Sequence, residues 1–89
     1  MEKYKVLIKP SALKELEAVG QKKDRQRIVA GINALAAEPR PAGCEKLSGH
    51  RDLFRMREGN YRIVYSVDDL SITVLVIKIG HRKNVYRSV

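Results

Sequence analysis

The chain has 89 residues, 44% hydrophobic and 31% charged, a composition typical of a single small folded domain over residues 1–89. The 18 basic residues outnumber the 10 acidic ones and give a formal net charge of +8, which indicates a polyanionic partner, nucleic acid first and an acidic protein second. The single cysteine excludes an internal disulfide, and its spacing from the two histidines gives no zinc-binding pattern. No apolar run is long enough to span a membrane. A cytoplasmic location fits this cysteine content.

The N-terminal residues predict a strand followed by a first helix. Residues 4–9 have the pattern of a strand, and Pro10 ends it. Ser11 has the short hydroxyl side chain that favours a helix N-cap, so a helix is expected over residues 12–19. Gly20 is expected to end this helix, because glycine readily adopts the left-handed conformation at the C′ position.

A second helix is predicted over residues 22–37. Its buried stripe is broadened by Val29 and consists of Ile28, Ile32, Leu35 and Ala36. Gly31 lies inside the helix at a cost of about 1 kcal/mol relative to alanine, and close packing would explain it. The first turns carry four basic residues where the helix dipole favours acidic ones, namely Lys22, Lys23, Arg25 and Arg27. These four form either a second anion-binding surface or a solvated face.

The segment LFRMREGNYRIVYS, residues 53–66, predicts a β-hairpin. Both halves alternate with period two, and Gly59-Asn60 between them suits a two-residue turn with positive φ. The turn predicts a register with Glu58 opposite Tyr61, Arg57 opposite Arg62, Met56 opposite Ile63 and Phe54 opposite Tyr65. The apolar partners then share a buried face, and the opposite, solvated face carries Arg55, Arg57 and Arg62.

Two arginines directly opposite each other repel, which costs stability. A sheet that keeps Arg57 opposite Arg62 is therefore expected to meet an anion at that position. The alternative is a solvated basic face that only keeps the protein soluble. The arginines by themselves do not decide between these two interpretations.

The remaining segments predict two loops and one more strand. Residues 40–52 are expected to form a loop, and Asp68-Asp69 a second turn. Residues 71–79 are almost continuously apolar, which is typical of a central strand buried on both faces. The predicted fold is α+β with the order β-α-α-β-β-β, a small twisted, mainly antiparallel sheet with two helices packed on one face.

The chemistry-bearing residues point to phosphate chemistry on RNA. The chain has no Gly-rich phosphate loop, no G-x-S-x-G motif and no paired catalytic acids. What remains is the basic sheet face and a segment after the last strand with His81, Arg82 and Tyr86. Arginines can stabilise charge on an attacked phosphate, a histidine can move a proton, and RNA supplies its own 2′-hydroxyl. Tyr86 either stacks on a base or packs onto the sheet.

Three segments, LFRMREGNYRIVYS, TVLVIKIG and GHRKNVYR, together resemble RelE-type toxins of the RelE/ParE toxin–antitoxin superfamily, and the resemblance covers nearly the whole chain. It implies a RelE-like fold and a ribosome-dependent endoribonuclease that cuts mRNA in the ribosomal A site with no metal and no cofactor. It also implies a RelB-like antitoxin as partner, a toxin that is monomeric alone, and a higher-order toxin–antitoxin complex.

The resemblance also assigns site residues. Arg55 and Arg57 match the family's basic pair, Arg62 its catalytic arginine, Arg82 the arginine after the last strand, and Tyr86 the tyrosine that stacks against or orients the substrate base. The basic second helix would face 16S ribosomal RNA. Relatives have lysines in the basic pair, whereas arginine stays protonated and is a poor base.

The proton therefore moves through His81 or catalysis is mostly positioning and electrostatics. If His81 is an acid or base, His81→Ala is expected to lower cleavage by about 100-fold. If it is structural, cleavage stays near normal.

Two other functions are open. The ParE branch of the superfamily shares this fold and poisons DNA gyrase without cutting RNA, but Arg62, Arg82 and Tyr86 favour the nuclease. A non-catalytic module that binds RNA or an antitoxin would use the same basic face.

Overall fold

The computed structural model describes residues 3–47, 49 and 52–81, with elements in the order β-α-α-β-β-β-β. The helices are α1 (Pro10–Glu17) and α2 (Lys22–Ala34). The strands are β1 (Lys5–Ile8), β2 (Glu45–Lys46), β3 (Leu53–Glu58), β4 (Tyr61–Asp68) and β5 (Thr73–His81). The predicted α+β class is confirmed, with one short strand, β2, inside the segment predicted to be a loop. None of the helices in the described part of the chain is long and apolar enough to cross a membrane.

The five strands form one sheet in the order β1-β5-β4-β3-β2. β1 pairs with β5 in parallel, and the other three pairs are antiparallel. The apolar strand β5 is an inner strand as predicted, because it pairs with β1 on one side and β4 on the other. The prediction that it is buried on both faces is wrong, because its fully buried residues, Val74, Val76 and Ile79, alternate with half-buried ones. β1 pairs only with residues 73–76, so the second half of β5 has a strand neighbour on one side only.

The register of the β3–β4 hairpin is the predicted one at all four residue pairs. Gly59 has a φ of +63°, as a primed turn requires at its first central position. Between β4 and β5 the register shifts after Val64, which lies opposite Lys78, whereas Tyr65 lies opposite Val76. Ile77 is therefore an extra residue, a β-bulge that bends the second half of β5.

The start of α1 differs from the prediction. The strand β1 ends before Pro10 as predicted, at Ile8, but Pro10 is also the first residue of the helix, because its fixed φ and missing N–H are tolerated in the first turn. The N-cap is Lys9 and not Ser11, whose side chain makes no cap. The helix ends at Glu17, and Gly20 has no positive φ, so its predicted role at C′ is wrong.

The helix α2 begins at the predicted residue and ends three residues early, at Ala34. Ile28 and Ile32 are buried as predicted, but Val29 is 40% exposed, so the buried stripe is narrower than expected. Gly31 lies against the hairpin, because a Cβ atom on it would stand 2.8 Å from Cδ of Glu58. Close packing of the helix on the end of β3 therefore accounts for this glycine.

The hydrophobic core lies between the two helices and one face of the sheet, as predicted. The helical segment contributes Ala12, Leu16, Val19, Ile28, Ile32 and Leu35. The sheet contributes Phe54, Met56, Ile63, Tyr65, Val67, Val74, Val76 and Ile79. The opposite face of the sheet is less solvated than predicted. The side chain of Val64 points to this face by strand alternation, and yet Val64 is only 1% exposed.

Tyr65 joins the core to the loop that follows α2. Its ring is fully buried and stacks on Phe54 with centroids 5.9 Å apart. Its hydroxyl donates a 2.9 Å hydrogen bond to the backbone carbonyl of Pro39. Burial raises the pKa of this hydroxyl, so it stays a neutral donor throughout the physiological range.

A polar network holds the same loop from outside. Arg40 donates two hydrogen bonds to the carboxylate of Asp69, at 2.8 and 3.2 Å, and its guanidinium lies 5.3 Å from the ring centroid of Phe54. The hydroxyl of Tyr4 donates to the same carboxylate at 2.6 Å. The hydrogen bonds from Arg40 and then from Tyr4 lower the pKa of Asp69. The network ties β1, the loop after α2 and the β4–β5 turn together.

We expect Tyr65→Phe to lower the free energy of unfolding by about 1–3 kcal/mol, because the Pro39 carbonyl would lose its buried partner. Urea denaturation at neutral pH measures the change. The matched control is Tyr4→Phe, which also removes one hydroxyl but from an exposed hydrogen bond, so its loss should be clearly smaller. Equal losses for the two variants would contradict this account.

Candidate functional site

Three arginines share the sheet face that the helices leave uncovered. Arg57 of β3 lies directly opposite Arg62 of β4, and Arg55 lies on the same side opposite Val64. Arg57 is exposed, while Arg55 and Arg62 are half-buried. One terminal nitrogen of Arg62, Nη1, is fully buried, so this guanidinium is held within the face rather than extended into water. The three predicted residues are therefore brought together, and we call them the basic face.

The members of the basic face differ in their local contacts. Arg55 makes a 2.9 Å ion pair with Glu45 of β2. Arg57 donates from Nε to the backbone carbonyl of Gly59 at 3.2 Å, which folds its side chain back toward the hairpin turn. The charge of Arg57 thus stays without a carboxylate partner among the ion pairs of the described residues. Coulomb repulsion between Arg57 and Arg62 favours any anion that binds between them.

His81 lies on the other side of the sheet. It pairs with Tyr61 across β4 and β5, and Tyr61 shares its face with Ile63 and the core. The rings of His81 and Tyr61 meet edge to face, with centroids 5.7 Å apart and planes at 76°. Because side chains alternate along a strand, Arg62 points to the opposite face. The structure therefore does not bring His81 together with the basic face.

The end of β5 beside His81 is held by Glu15 of α1. Its carboxylate accepts a 3.0 Å hydrogen bond from the backbone N–H of Ile79 and makes an ion pair with Lys78. β1 does not pair with this half of β5, so the carboxylate supplies a hydrogen-bond acceptor that a neighbouring strand would otherwise provide. A recess of about 320 Å³ adjoins this contact and includes Tyr61 and His81 in its lining.

The four basic residues of α2 do not all point to solvent. Lys22, Lys23 and Arg27 are exposed, whereas Arg25 is half-buried and donates to the carbonyl of Val19. Arg25 thus satisfies a free carbonyl after α1. Arg27 reaches the hairpin turn, because its Nη1 lies 3.2 Å from the position that a Cβ atom would take if Gly59 had one. The basic turns of α2 therefore continue toward the tip of the hairpin.

Two predicted site residues, Arg82 and Tyr86, lie outside the described residues. No sequence pattern indicates Glu45, because its pairing with Arg55 depends on a two-residue strand that is too short to show periodicity. None indicates Glu15 either, because its contact with Ile79 joins residues 64 positions apart. Within residues 3–47, 49 and 52–81, no group of three or more His, Cys, Asp or Glu side chains could hold a metal ion.

Comparisons with known proteins agree with this architecture. The chain is 34% identical over 53 residues to toxin RelG of Mycobacterium tuberculosis, which covers 60% of the chain and 61% of RelG. The chain thus spans about three fifths of the length of this curated relative.

Solved structures match over most of their length. The RelE–RelB complex of Pyrococcus horikoshii aligns with a TM-score of 0.81 and 30% identity, over 93% of this chain and 99% of that one. The RelBE2 toxin–antitoxin complex of Mycobacterium tuberculosis gives 0.79 and 26%, over 90% and 99%. The intact Escherichia coli RelBE complex gives 0.73 and 31%, over 88% and 95%.

The family model described as the ParE toxin of the type II toxin–antitoxin system parDE matches residues 6–86. This match covers both helices, the strands β3 and β4, which carry the basic face, and the strand β5. The chain therefore belongs to the ParE toxin family of type II toxin–antitoxin systems, within the RelE/ParE toxin superfamily.

Proposed function

We propose that this toxin is a ribosome-dependent endoribonuclease that cleaves mRNA in the ribosomal A site and so inhibits translation. The observation that carries the proposal is the pair Arg57–Arg62, two like charges held directly opposite each other beside Arg55. A sheet accepts this repulsion most readily where a phosphate neutralises it. The relatives with RelE-type structures, at 26 to 31% identity, support the nuclease over other functions of the superfamily.

The proposed reaction uses the RNA as its own nucleophile. The 2′-oxygen bonds to the adjacent phosphorus and loses its proton, and the bond from phosphorus to the 5′-oxygen breaks as that oxygen gains a proton. Negative charge builds on the phosphate oxygens during this step. Arg62 is half-buried and is suited to stabilise that charge, while Arg55 and Arg57 of the neighbouring strand position the RNA backbone. In the proposal, Arg82 and Tyr86 complete the site, as the resemblance implies.

The proton transfer is not assigned to a residue of the basic face. Arginine stays protonated in proteins, so none of its three members is a general base. His81 is the titratable candidate, but its contact with Tyr61 lies on the core side of the sheet. The geometry therefore favours catalysis by positioning and electrostatics over proton transfer through His81.

The α2 residues extend the proposed interface toward ribosomal RNA. Lys22, Lys23 and Arg27 are exposed and can release counterions on binding, which adds affinity without sequence preference. Arg25 contributes less in this proposal, because its guanidinium already donates to the Val19 carbonyl.

The second candidate is inhibition of DNA gyrase, and the family model is the observation that favours it, since its description is a ParE toxin. A third candidate is a non-catalytic module that binds RNA or an antitoxin with the same face. Such a module would lose affinity in proportion to the charge removed, whereas an enzyme would lose cleavage and keep most of its affinity for ribosomes.

The proposal includes a RelB-like antitoxin as partner. Structures similar to this chain are toxins in complex with RelB. The basic face and the net charge of +8 would attract an acidic segment that is disordered alone and folds on contact. In this proposal the toxin acts in the cytoplasm, monomeric when free and in a higher-order complex with its antitoxin.

Cell-free translation with primer extension tests the nuclease, and a gyrase supercoiling assay on the same preparation tests the alternative. We expect the mRNA to be cut inside codons, and only while it is translated. Arg62→Ala should lower the cleavage rate by about 100- to 1,000-fold, which is the usual effect of removing one donor that stabilises a transition-state charge. Lys14→Ala is the charge-matched control, because Lys14 is exposed on α1 away from the basic face. Intact mRNA with inhibited gyrase would contradict the proposal and support the ParE-like function.

The role of His81 is tested by His81→Gln in the same cleavage assay. Because its ring contacts Tyr61 on the core side, we expect a loss of less than about tenfold, well below the contribution of a true general acid or base. A pH–rate profile should be unchanged in shape. A loss near 100-fold, together with a changed shape of the pH–rate profile, would instead assign the proton transfer to His81.

Isothermal calorimetry with the product of the neighbouring gene tests the antitoxin. We expect binding with a negative heat-capacity change, because a disordered segment that folds on contact buries apolar surface. Affinity should fall with salt. No heat of binding at low salt would count against a toxin–antitoxin pair formed by these two proteins.

A further inference from the structure

A carboxylate side chain, that of Glu45, lies at the edge of the basic face. Glu45 is one of only two residues in β2, and its backbone pairs with Arg55 across the edge of the sheet. Its carboxylate Oε2 accepts from Nη2 of Arg55 at 2.9 Å. A cross-strand pair of opposite charge is a stabilising contact, but a modest one where water has access.

The two side chains of this pair differ in exposure. The side chain of Arg55 is 18% exposed, whereas that of Glu45 is 67% exposed. If the pair separates, the Glu45 carboxylate can turn into water at little cost, whereas Arg55 is held by the sheet around it. The partner that moves away is therefore Glu45, and Arg55 stays on the basic face.

We propose that Glu45 is an internal counter-anion that occupies Arg55 in the free protein and is displaced by a backbone phosphate of bound RNA. This inference rests on the proposed function only in its choice of RNA as the anion. Glu45 thereby lowers the affinity of the basic face for anions in general. A ligand with several phosphates overcomes the competition, because Arg57 and Arg62 lie beside Arg55 and bind further phosphates at the same time.

The contrast within the basic face supports this assignment. Among the ion pairs of the described residues, Arg57 has no carboxylate partner, so a phosphate meets its charge without a competing anion. Arg55 is already neutralised, so a ligand gains less there until the carboxylate leaves. Glu45 therefore acts on the affinity for RNA, and not as a catalytic residue.

The test measures binding of a fluorescein-labelled, 2′-O-methylated single-stranded RNA by anisotropy over a range of NaCl concentrations. This RNA lacks the attacking hydroxyl, so the measurement does not depend on cleavage. We expect Glu45→Gln to tighten binding by about two- to fivefold, the range of an exposed ion pair. The slope of log affinity against log salt should stay nearly the same, because a phosphate contacts Arg55 in both proteins and the number of phosphate contacts does not change.

The matched control is Glu17→Gln, which changes the net charge by the same amount from an exposed position on α1. It should leave both the affinity and the salt slope close to those of the unmodified protein. The decisive step is a double-mutant cycle in which Glu45→Gln is made in an Arg55→Ala background, where it should have no further effect.

Three results would overturn the inference. Equal tightening by the two Gln variants would mean that the effect is one of net charge alone. Tightening in the Arg55→Ala background would mean that Glu45 does not compete for Arg55. Weaker binding by Glu45→Gln would mean that Glu45 orients Arg55 for the ligand.

The same binding series on heparin, together with the mRNA cleavage assay, separates the counter-anion proposal from the nuclease proposal. If Glu45→Gln binds the polyanions more tightly but the protein cleaves no mRNA, the counter-anion role stands and the nuclease proposal fails. If the protein cleaves mRNA but Glu45→Gln does not bind more tightly, the nuclease proposal stands and the counter-anion role fails. No binding to RNA or heparin would contradict both proposals.

Discussion

The register of the β3–β4 hairpin is the constraint on which the candidate site depends. The turn at Gly59 sets Arg57 opposite Arg62 and Met56 opposite Ile63 in one step, because side chains alternate between the two faces. A shift by one residue would place guanidinium groups in the core and apolar side chains in water. The cost of such a shift is far larger than the repulsion between two arginines, so the like-charge pair is held in place by the burial of its neighbours.

The sheet also separates two kinds of chemistry. On the core side, Tyr65 anchors the loop after α2, and His81 rests against Tyr61 at the end of the same layer. On the other side lie the arginines of the basic face. The uncovered half of β5 would leave backbone groups unsatisfied, and Glu15 supplies one of the missing acceptors. Helix α1 thus stabilises the strand end that precedes the last predicted site residues.

The site is basic without being uniformly so. Glu45 neutralises one arginine, the Gly59 carbonyl holds another, and the third is partly buried. Each guanidinium therefore meets a ligand under different conditions, although all three look alike in the sequence. Arg27 of α2 approaches the hairpin turn, which joins the basic turns of the helix to the same region of the surface. Net charge alone describes attraction to a polyanion but not this internal arrangement.

The sequence by itself determined the α+β class, the order of the main elements, the hairpin register and the grouping of three arginines on one face, because these follow from local periodicity and one turn. It misplaced the caps of α1, since Pro10 serves a helix start as well as a strand end. Only the tertiary structure decided that β5 is fully buried at alternate residues rather than on both faces, that His81 faces the core side, that Glu45 pairs with Arg55, and that Glu15 accepts from the edge of β5. These contacts join residues through the order of strands and a two-residue edge strand, and no local pattern in the sequence records which strands become neighbours.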